Sequence, residues 1–267
     1  MNDVYLPEEC IDILREESEK IYFETHLKFL KSHGGLRPGC IHTIIGNSHA
    51  GKSTLVRSLI IDIVEFNPDK KILVWLSEES EKDFLTEFYI KQHSNKKLKN
   101  VGLVSEIDQN NKSSTQIGKL FFEAIKDRDI VLFDNITTSI FYMDKTAIQQ
   151  STLSKRLKEL ALKENVAMIV IAHTSAEITS GVRREIEMND IRGNKSIVNL
   201  SHFFYIIQNF HIDKTIFTTI KITKHRGQEC DHRMFCLAYV KEARIYAVDR
   251  PIDYNEFKEA FKSRNVL

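Results

Sequence analysis

The 267-residue sequence predicts an α/β fold: a doubly wound, mostly parallel sheet with helices on both faces and antiparallel hairpin strands toward the C-terminus. Three observations carry that expectation. Four apolar runs, residues 72–76, 101–104, 130–133 and 166–172, are continuous, the pattern of strands covered on both faces. Helical periodicity between such runs is the alternation that builds a parallel sheet with crossover helices. The last third changes to period two, with Ile216, Thr218, Ile220 and Ile222 on one side and Phe217, Thr219, Lys221 and Thr223 on the other.

Along the chain, residues 9–31 combine dense charge with Ile11, Ile13, Leu14, Ile21, Phe23, Leu27, Phe29 and Leu30, and are expected to be helical. Gly34-Gly35-Leu36-Arg37-Pro38-Gly39 ends that segment with turn chemistry. The β-branched run 40–45 then reads as the first buried strand. Immediately after it stands Gly46-Asn47-Ser48-His49-Ala50-Gly51-Lys52-Ser53-Thr54, which satisfies the phosphate-loop pattern GxxxxGK[ST] in full. Behind it Leu55, Leu59 and Ile63 recur at i, i+4, i+8, so a helix is predicted over 52–64. Strand, glycine loop, helix is the order a polyphosphate needs. The loop's backbone N–H groups point inward, Lys52 brings an ammonium, Ser53 a hydroxyl for Mg²⁺, and the helix its positive end.

Leu153, Leu157 and Leu160 mark a further helix over 151–164, and residues 234–240 and 244–248 follow the alternating strand after short turns. Ten glycines and four prolines are spread without a linker or repeat, which argues for one core domain. The expected division is an N-terminal helical extension at 1–33, the core at 34–250 and a C-terminal helical tail at 251–267.

Composition narrows the classes of function. Basic and acidic side chains number 38 and 37, so any nucleic-acid contact must be local rather than spread over the surface. No signal peptide and no run of eighteen apolar residues is found, which predicts a cytoplasmic protein without a membrane partner. Cys10, Cys40, Cys230 and Cys236 include no CxxC pair, and the group His225, Cys230, His232 and Cys236 lacks the paired close ligands of a structural zinc site.

Hydrolysis of a nucleoside triphosphate needs a held Mg²⁺, an activated water and neutralised charge on the leaving phosphate. Asp134 ends the strand 130–133 at the carboxyl edge of the sheet, the Walker B position for a metal carboxylate. Glu78 and Glu79 follow the strand 72–76 in the same way; either could polarise a water, and both equally suit an acidic helix N-terminus. His173 closes the strand 166–172, as a γ-phosphate sensor or as an ordinary satisfied polar residue. Lys224-His225-Arg226-Gly227 at a turn offers an arginine finger, to its own subunit or a neighbour's, or a solvated basic turn.

Together these pieces resemble the RecA-like NTPase superfamily, and within it the hexameric replicative helicases of DnaB and phage type. Residues 34–39 are similar to that family's GGLxxG element, and Leu76-Ser77-Glu78-Glu79-Ser80 to its catalytic-glutamate motif, which places the general base at Glu78. Phe133-Asp134-Asn135 resembles its Walker B. Ile171-Ala172-His173 resembles the strand whose last residue senses the γ-phosphate. Ile191-Arg192-Gly193-Asn194-Lys195-Ser196-Ile197 resembles the stretch after its DNA-binding loop, and Lys224-His225-Arg226-Gly227 its KxRxG element. The likeness spans 34–248 with its elements in the family's order. His49 and Ala50 depart from it, standing where small Gly or Ser types are usual.

The resemblance implies ATP and Mg²⁺ as cofactors, and catalytic roles for Lys52, Glu78, His173, Lys224 and Arg226, with Ser53 and Asp134 at the metal. It implies a homo-oligomeric ring, expected to be a hexamer, because a finger acting in trans needs an adjacent subunit. It also implies a grip on single-stranded DNA through Lys145 in the loop after Asp134 and Arg183 and Arg184 in the loop after His173. A loader or primase protein is an implied partner. The resulting expectation is an Mg-ATP-dependent replicative helicase or single-strand translocase; the alternative is a RecA-fold regulatory or recombination ATPase that oligomerises without unwinding.

Overall fold

The computed structural model describes residues 22–92, 98–175, 185–193, 195–212, 215–226, 230, 233–240 and 245–252. The chain order is α1 (Lys28–Lys31), β1 (Ile41–Gly46), α2 (Lys52–Phe66), β2 (Ile72–Leu76), α3 (Glu81–Gln92), β3 (Val101–Ser105), α4 (Ser114–Ala124), β4 (Ile130–Asp134), α5 (Ala147–Lys163), β5 (Ala167–His173), α6 (Ser196–Leu200), β6 (Phe203–Ile212), β7 (Thr215–His225), β8 (Met234–Val240) and β9 (Ile245–Ile252). Among the described residues these strands form one sheet of nine, in the order β3-β2-β4-β5-β1-β6-β7-β8-β9. The first six are parallel, and β6–β7, β7–β8 and β8–β9 are antiparallel.

The continuous apolar runs are explained by burial on both faces. In β4, Ile130 and Leu132 join the core under α2, while Val131 and Phe133 join the core under α4 and α5. β2 divides likewise, with Ile72, Val74 and Leu76 against Leu73 and Trp75. Each fully buried large side chain of this kind contributes about 1.5–3 kcal/mol, so neither face can be left to water. Helix α2 offers Leu55, Val56, Leu59, Ile60 and Ile63 as one buried stripe.

The helix termini differ in a way that matters for ligands. Helices α4 and α5 begin with capping boxes, Ser113 with Gln116 and Thr146 with Gln149. Helix α2 begins at Gly51, in the left-handed region at φ 91°, and no side chain caps it. An uncapped helix start of this kind is suited to an anion.

Two expectations differ from the structure, and one strand was not foreseen. Residues 22–33 are not a helical extension: helix is present only at Lys28–Lys31, and Phe23 pairs with Leu36 in an antiparallel bridge. Phe23, Leu27, Phe29 and Leu30 are buried in the core under α2. Asp62 of α2 is the reason, because it accepts from the Thr25 hydroxyl and, at 2.8 Å, from the His26 N–H, bonds that compete with a continuing helix. At the other end β9 runs to Ile252, two residues past the expected core boundary. Strand β6 is the one not foreseen: its apolar run 203–207 shows no alternation because it lies between β1 and β7, the seam where the parallel sheet turns antiparallel. The predicted helical parts at 9–21 and 253–267 lie outside the described residues.

Candidate active site

Strands β1, β2, β4 and β5 bring their carboxyl ends to one edge, with Gly46 level with His173 and Leu76 level with Asp134. The phosphate loop spans the gap from β1 to α2. Gly46 has no room for a side chain, since a Cβ there would meet Ile207 at 2.6 Å. Strand β6 thus packs directly beneath the loop. His49 also takes a left-handed conformation, φ 62°, and its carbonyl accepts from Asn209 Nδ2 of β6 at 3.2 Å. On the other side Thr174 donates its hydroxyl to Asn47 Oδ1, tying the loop to the end of β5.

Lys52 is folded back on its own loop, Nζ donating to the carbonyls of Gly46 at 3.0 Å and Asn47 at 2.7 Å. Burial lowers its pKa to about 8, against the pull of Asp134 and Glu78. Asp134 is buried, and burial together with Glu78 raises its carboxyl to about 6, opposed by a hydrogen bond with Ser53 and by Lys52.

A divalent cation fits these donors. Ser53 and Asp134 offer a hydroxyl and a carboxylate oxygen side by side, the hard ligands Mg²⁺ prefers, and the carboxylate lies where burial disfavours its charge unless a cation compensates it. Among the described residues no three His, Cys, Asp or Glu side chains are arranged to hold a metal alone. A metal here would be completed by phosphate oxygens and water.

The sign of the Asp134 shift gives a test. Between its ordinary value of 3.8 and about 6, the metal-free folded chain holds a proton there that the unfolded chain releases. Stability from this group therefore falls as pH rises through that window, by at most about 3 kcal/mol. In urea titrations Asp134→Asn should gain stability relative to the unsubstituted chain as pH rises from about 4 to about 7, and saturating Mg²⁺ should shrink the gain. A pH-independent difference would rule out the raised carboxyl.

The structure separates the two glutamates. Glu79 is held by Arg57 of α2 through both carboxylate oxygens, at 3.1 and 2.9 Å. Glu78 instead faces the loop, its Oε1 accepting from His173 Nε2 at 2.7 Å. That bond, ahead of smaller help from Thr138 and Lys52, holds the Glu78 carboxyl below its ordinary value despite burial. Nothing in the sequence distinguished Arg57 from any other helix-surface cation. The residues after Asp134 were missed too: Thr137 Oγ1 accepts from the His173 N–H at 3.1 Å, and Ser77 Oγ bonds Thr138 Oγ1 at 2.9 Å.

Two of the other candidates, Lys224 and Arg226, lie apart from this edge. Lys145 donates to Ser114 Oγ at 3.2 Å, and Arg183 and Arg184 lie outside the described residues. Lys224 donates to the carbonyls of Val198, at 2.6 Å, and Asn199, at 3.2 Å, where α6 ends. Arg226 has an exposed side chain, and its N–H donates to His202 O at 2.8 Å. Both belong to the opposite edge, because His225 pairs with Phe203, which lies beside His42. Gly46 is four residues further along β1, roughly 13 Å away. The finger turn cannot reach its own loop. Among the described residues no helix is long and apolar enough to cross a membrane.

No protein-family model matches the sequence, and no curated protein matches it. Among solved structures the chain is similar to a DnaB-like replicative helicase, solved with its interactions with primase. The TM-score is 0.70 at 16% sequence identity, over 92% of this chain and 67% of that one. A likeness at that identity is one of fold. The strand order, the loop-to-helix junction on β1 and this match together show that the chain has a RecA-like fold.

Proposed function

We propose that this chain is an Mg-ATP-dependent ATPase that forms a ring and moves along, or unwinds, DNA from a single strand, as replicative helicases do. One observation carries the reading. Lys52, Ser53, Glu78, Asp134 and His173 converge on one sheet edge, while Lys224 and Arg226 stand on the other, out of reach of their own loop.

In this reading the N–H groups of 46–54 cradle the phosphates and Lys52 turns from its two carbonyls to a phosphate oxygen. Ser53 and Asp134 hold the metal. Bound Mg²⁺ supplies neutralising charge to the phosphates. A γ-phosphate beside His173 gives its ring a new acceptor, which draws it from Glu78. Freed of that bond, the Glu78 carboxyl becomes the stronger base and takes the proton of the attacking water. Arg226 of one subunit, with Lys224, would complete the site of the next, which makes the working unit an oligomer. The DNA grip by Lys145, Arg183 and Arg184, and a primase or loader as partner, belong to the same proposal.

ATP turnover with and without single-stranded DNA, beside a strand-displacement assay, tests it. Expected are stimulation by the strand, unwinding, near-complete loss in Glu78→Gln and retained turnover in Glu79→Gln. Turnover indifferent to DNA with no displacement would favour the regulatory or recombination ATPase instead.

A further inference from the structure

A buried carboxylate that the proposed chemistry does not use joins the catalytic edge to an exposed loop. Glu106 follows β3 and is 7% exposed. Its Oε1 accepts from Trp75 Nε1 at 2.7 Å and from Ser139 Oγ at 2.6 Å, and its Oε2 accepts from the Ile140 N–H at 2.7 Å. Its own N–H donates to Leu76 O at 2.8 Å. Burying a carboxylate costs several kcal/mol unless its oxygens are satisfied, and here three donors converge on them. An apolar residue could fill the same space, so the acid is there for what it holds.

What it holds is the segment after Asp134. Residues 135–140 line the catalytic edge through Thr137, which accepts from the His173 N–H, and Thr138, which bonds Glu78. Beyond Ser139 the chain makes a turn, with the N–H groups of Tyr142 and Met143 donating to the Ser139 carbonyl at 2.9 and 2.8 Å while Phe141 and Tyr142 stay buried in the core. Ile140 and Met143 are exposed there by 38% and 49%. Trp75, two residues before Ser77, is fully buried on β2.

We infer that Glu106 is a positioning residue that fastens residues 135–140 to Trp75, so that events at Glu78 and His173 pass through Thr137 and Thr138 to the turn at 140–143, which presents Ile140 and Met143 at the surface. The inference rests on the proposed placing of a γ-phosphate beside His173. Its two ends are fixed differently: Thr138 bonds Glu78, which loses its His173 partner when the phosphate enters, and Thr137 holds the His173 backbone N–H, whereas Glu106 anchors the far end on the core. A segment held at both ends shifts as one piece rather than dissipating the movement.

Trp75 is the chain's only tryptophan, so its emission reports this link in the full-length protein. With Mg²⁺, β,γ-imido-ATP should change the emission and ADP should not. Glu106→Gln keeps the volume but sets an amide N–H₂ against one of the three donors. It should lose the difference between the two nucleotides and about tenfold in kcat, with KM and the affinity for a fluorescent ATP analogue changed less than about threefold. A variant keeping both the difference and full turnover would overturn the inference, as would an unsubstituted chain that binds both nucleotides with identical emission. If Glu106→Gln does not fold, Ser139→Ala removes one bond and must weaken the same difference; an unaltered difference overturns the idea equally. Absence of nucleotide binding altogether would sink the ATPase reading itself, and this inference with it.

Discussion

Lys52→Ala should lower ATP turnover at least about a hundredfold, the loss usual when one donor to the developing charge is removed. The expectation is specific because of where the ammonium lies. It is 6% exposed, and its Nζ donates to the loop carbonyls Gly46 O and Asn47 O, which are neutral acceptors. Exchange for a phosphate oxygen replaces a neutral partner with a charged one, so the gain appears only when nucleotide is bound. Its pKa of about 8 leaves it mostly charged at neutral pH, and a nearby polyphosphate reinforces that charge. Truncation also leaves Asp134 and Glu78 without their shared cation, which pushes the Asp134 carboxyl further up. Lys52→Met tests the ammonium apart from packing, since it keeps the buried stem and removes only the charge. Both variants should fold and both should be inactive. Wild-type turnover in either would remove Lys52 from the chemistry and with it the assignment of the loop.

How far the fold was legible follows from which forces set each element. Strands β2, β4 and β5 announced themselves as apolar runs because both their faces are buried: β2 runs from Ile72 to Leu76 as expected, and β4 and β5 differ from expectation by one residue at their ends, as does β1, which holds buried His42 and Thr43 and was read from its β-branched residues instead. Strand β6 was hidden, because it pairs parallel with β1, remote in sequence, and antiparallel with β7, so its pattern belongs to neither sheet type alone. The segment 22–27 misled by composition, since a hydrogen bond to Asp62, 36 residues away, outweighs local helix preference. In the site, the loop could be read because its chemistry is contiguous. The distinction between Glu78 and Glu79 could not, because it depends on Arg57 and His173, which the fold alone brings to them. Glu106 gave no signal for the same reason: its three donors come from β2 and from the loop after β4.

Arg226→Ala should remove about a thousandfold or more of turnover, the range of an arginine finger, and leave nucleotide affinity measurable. The substitution leaves the fold alone, because the turn is held by the Arg226 N–H on His202 O while the side chain is exposed. The cation does not stand by itself. Arg37, Lys158, Lys224 and Arg226 all act on His202, which burial first and then these charges lower to about 4. Four cations gathered at an edge without their own phosphate suit an anion brought by another subunit. Mixing then distinguishes the arrangements. An Arg226→Ala subunit keeps Glu78, and a Glu78→Gln subunit keeps its finger, so a junction between the loop of the first and the finger of the second is complete. Random exchange of equal amounts makes about a quarter of head-to-tail junctions complete. Two inactive proteins should thus regain activity on mixing, to about that fraction if junctions act independently and to less if all must fire in turn. Restoration is possible only when base and finger serve one site from different chains. If exchange is verified by labelled subunits and no activity returns, Arg226 does not act across the junction, and the opposite-edge placing of the turn loses its catalytic meaning.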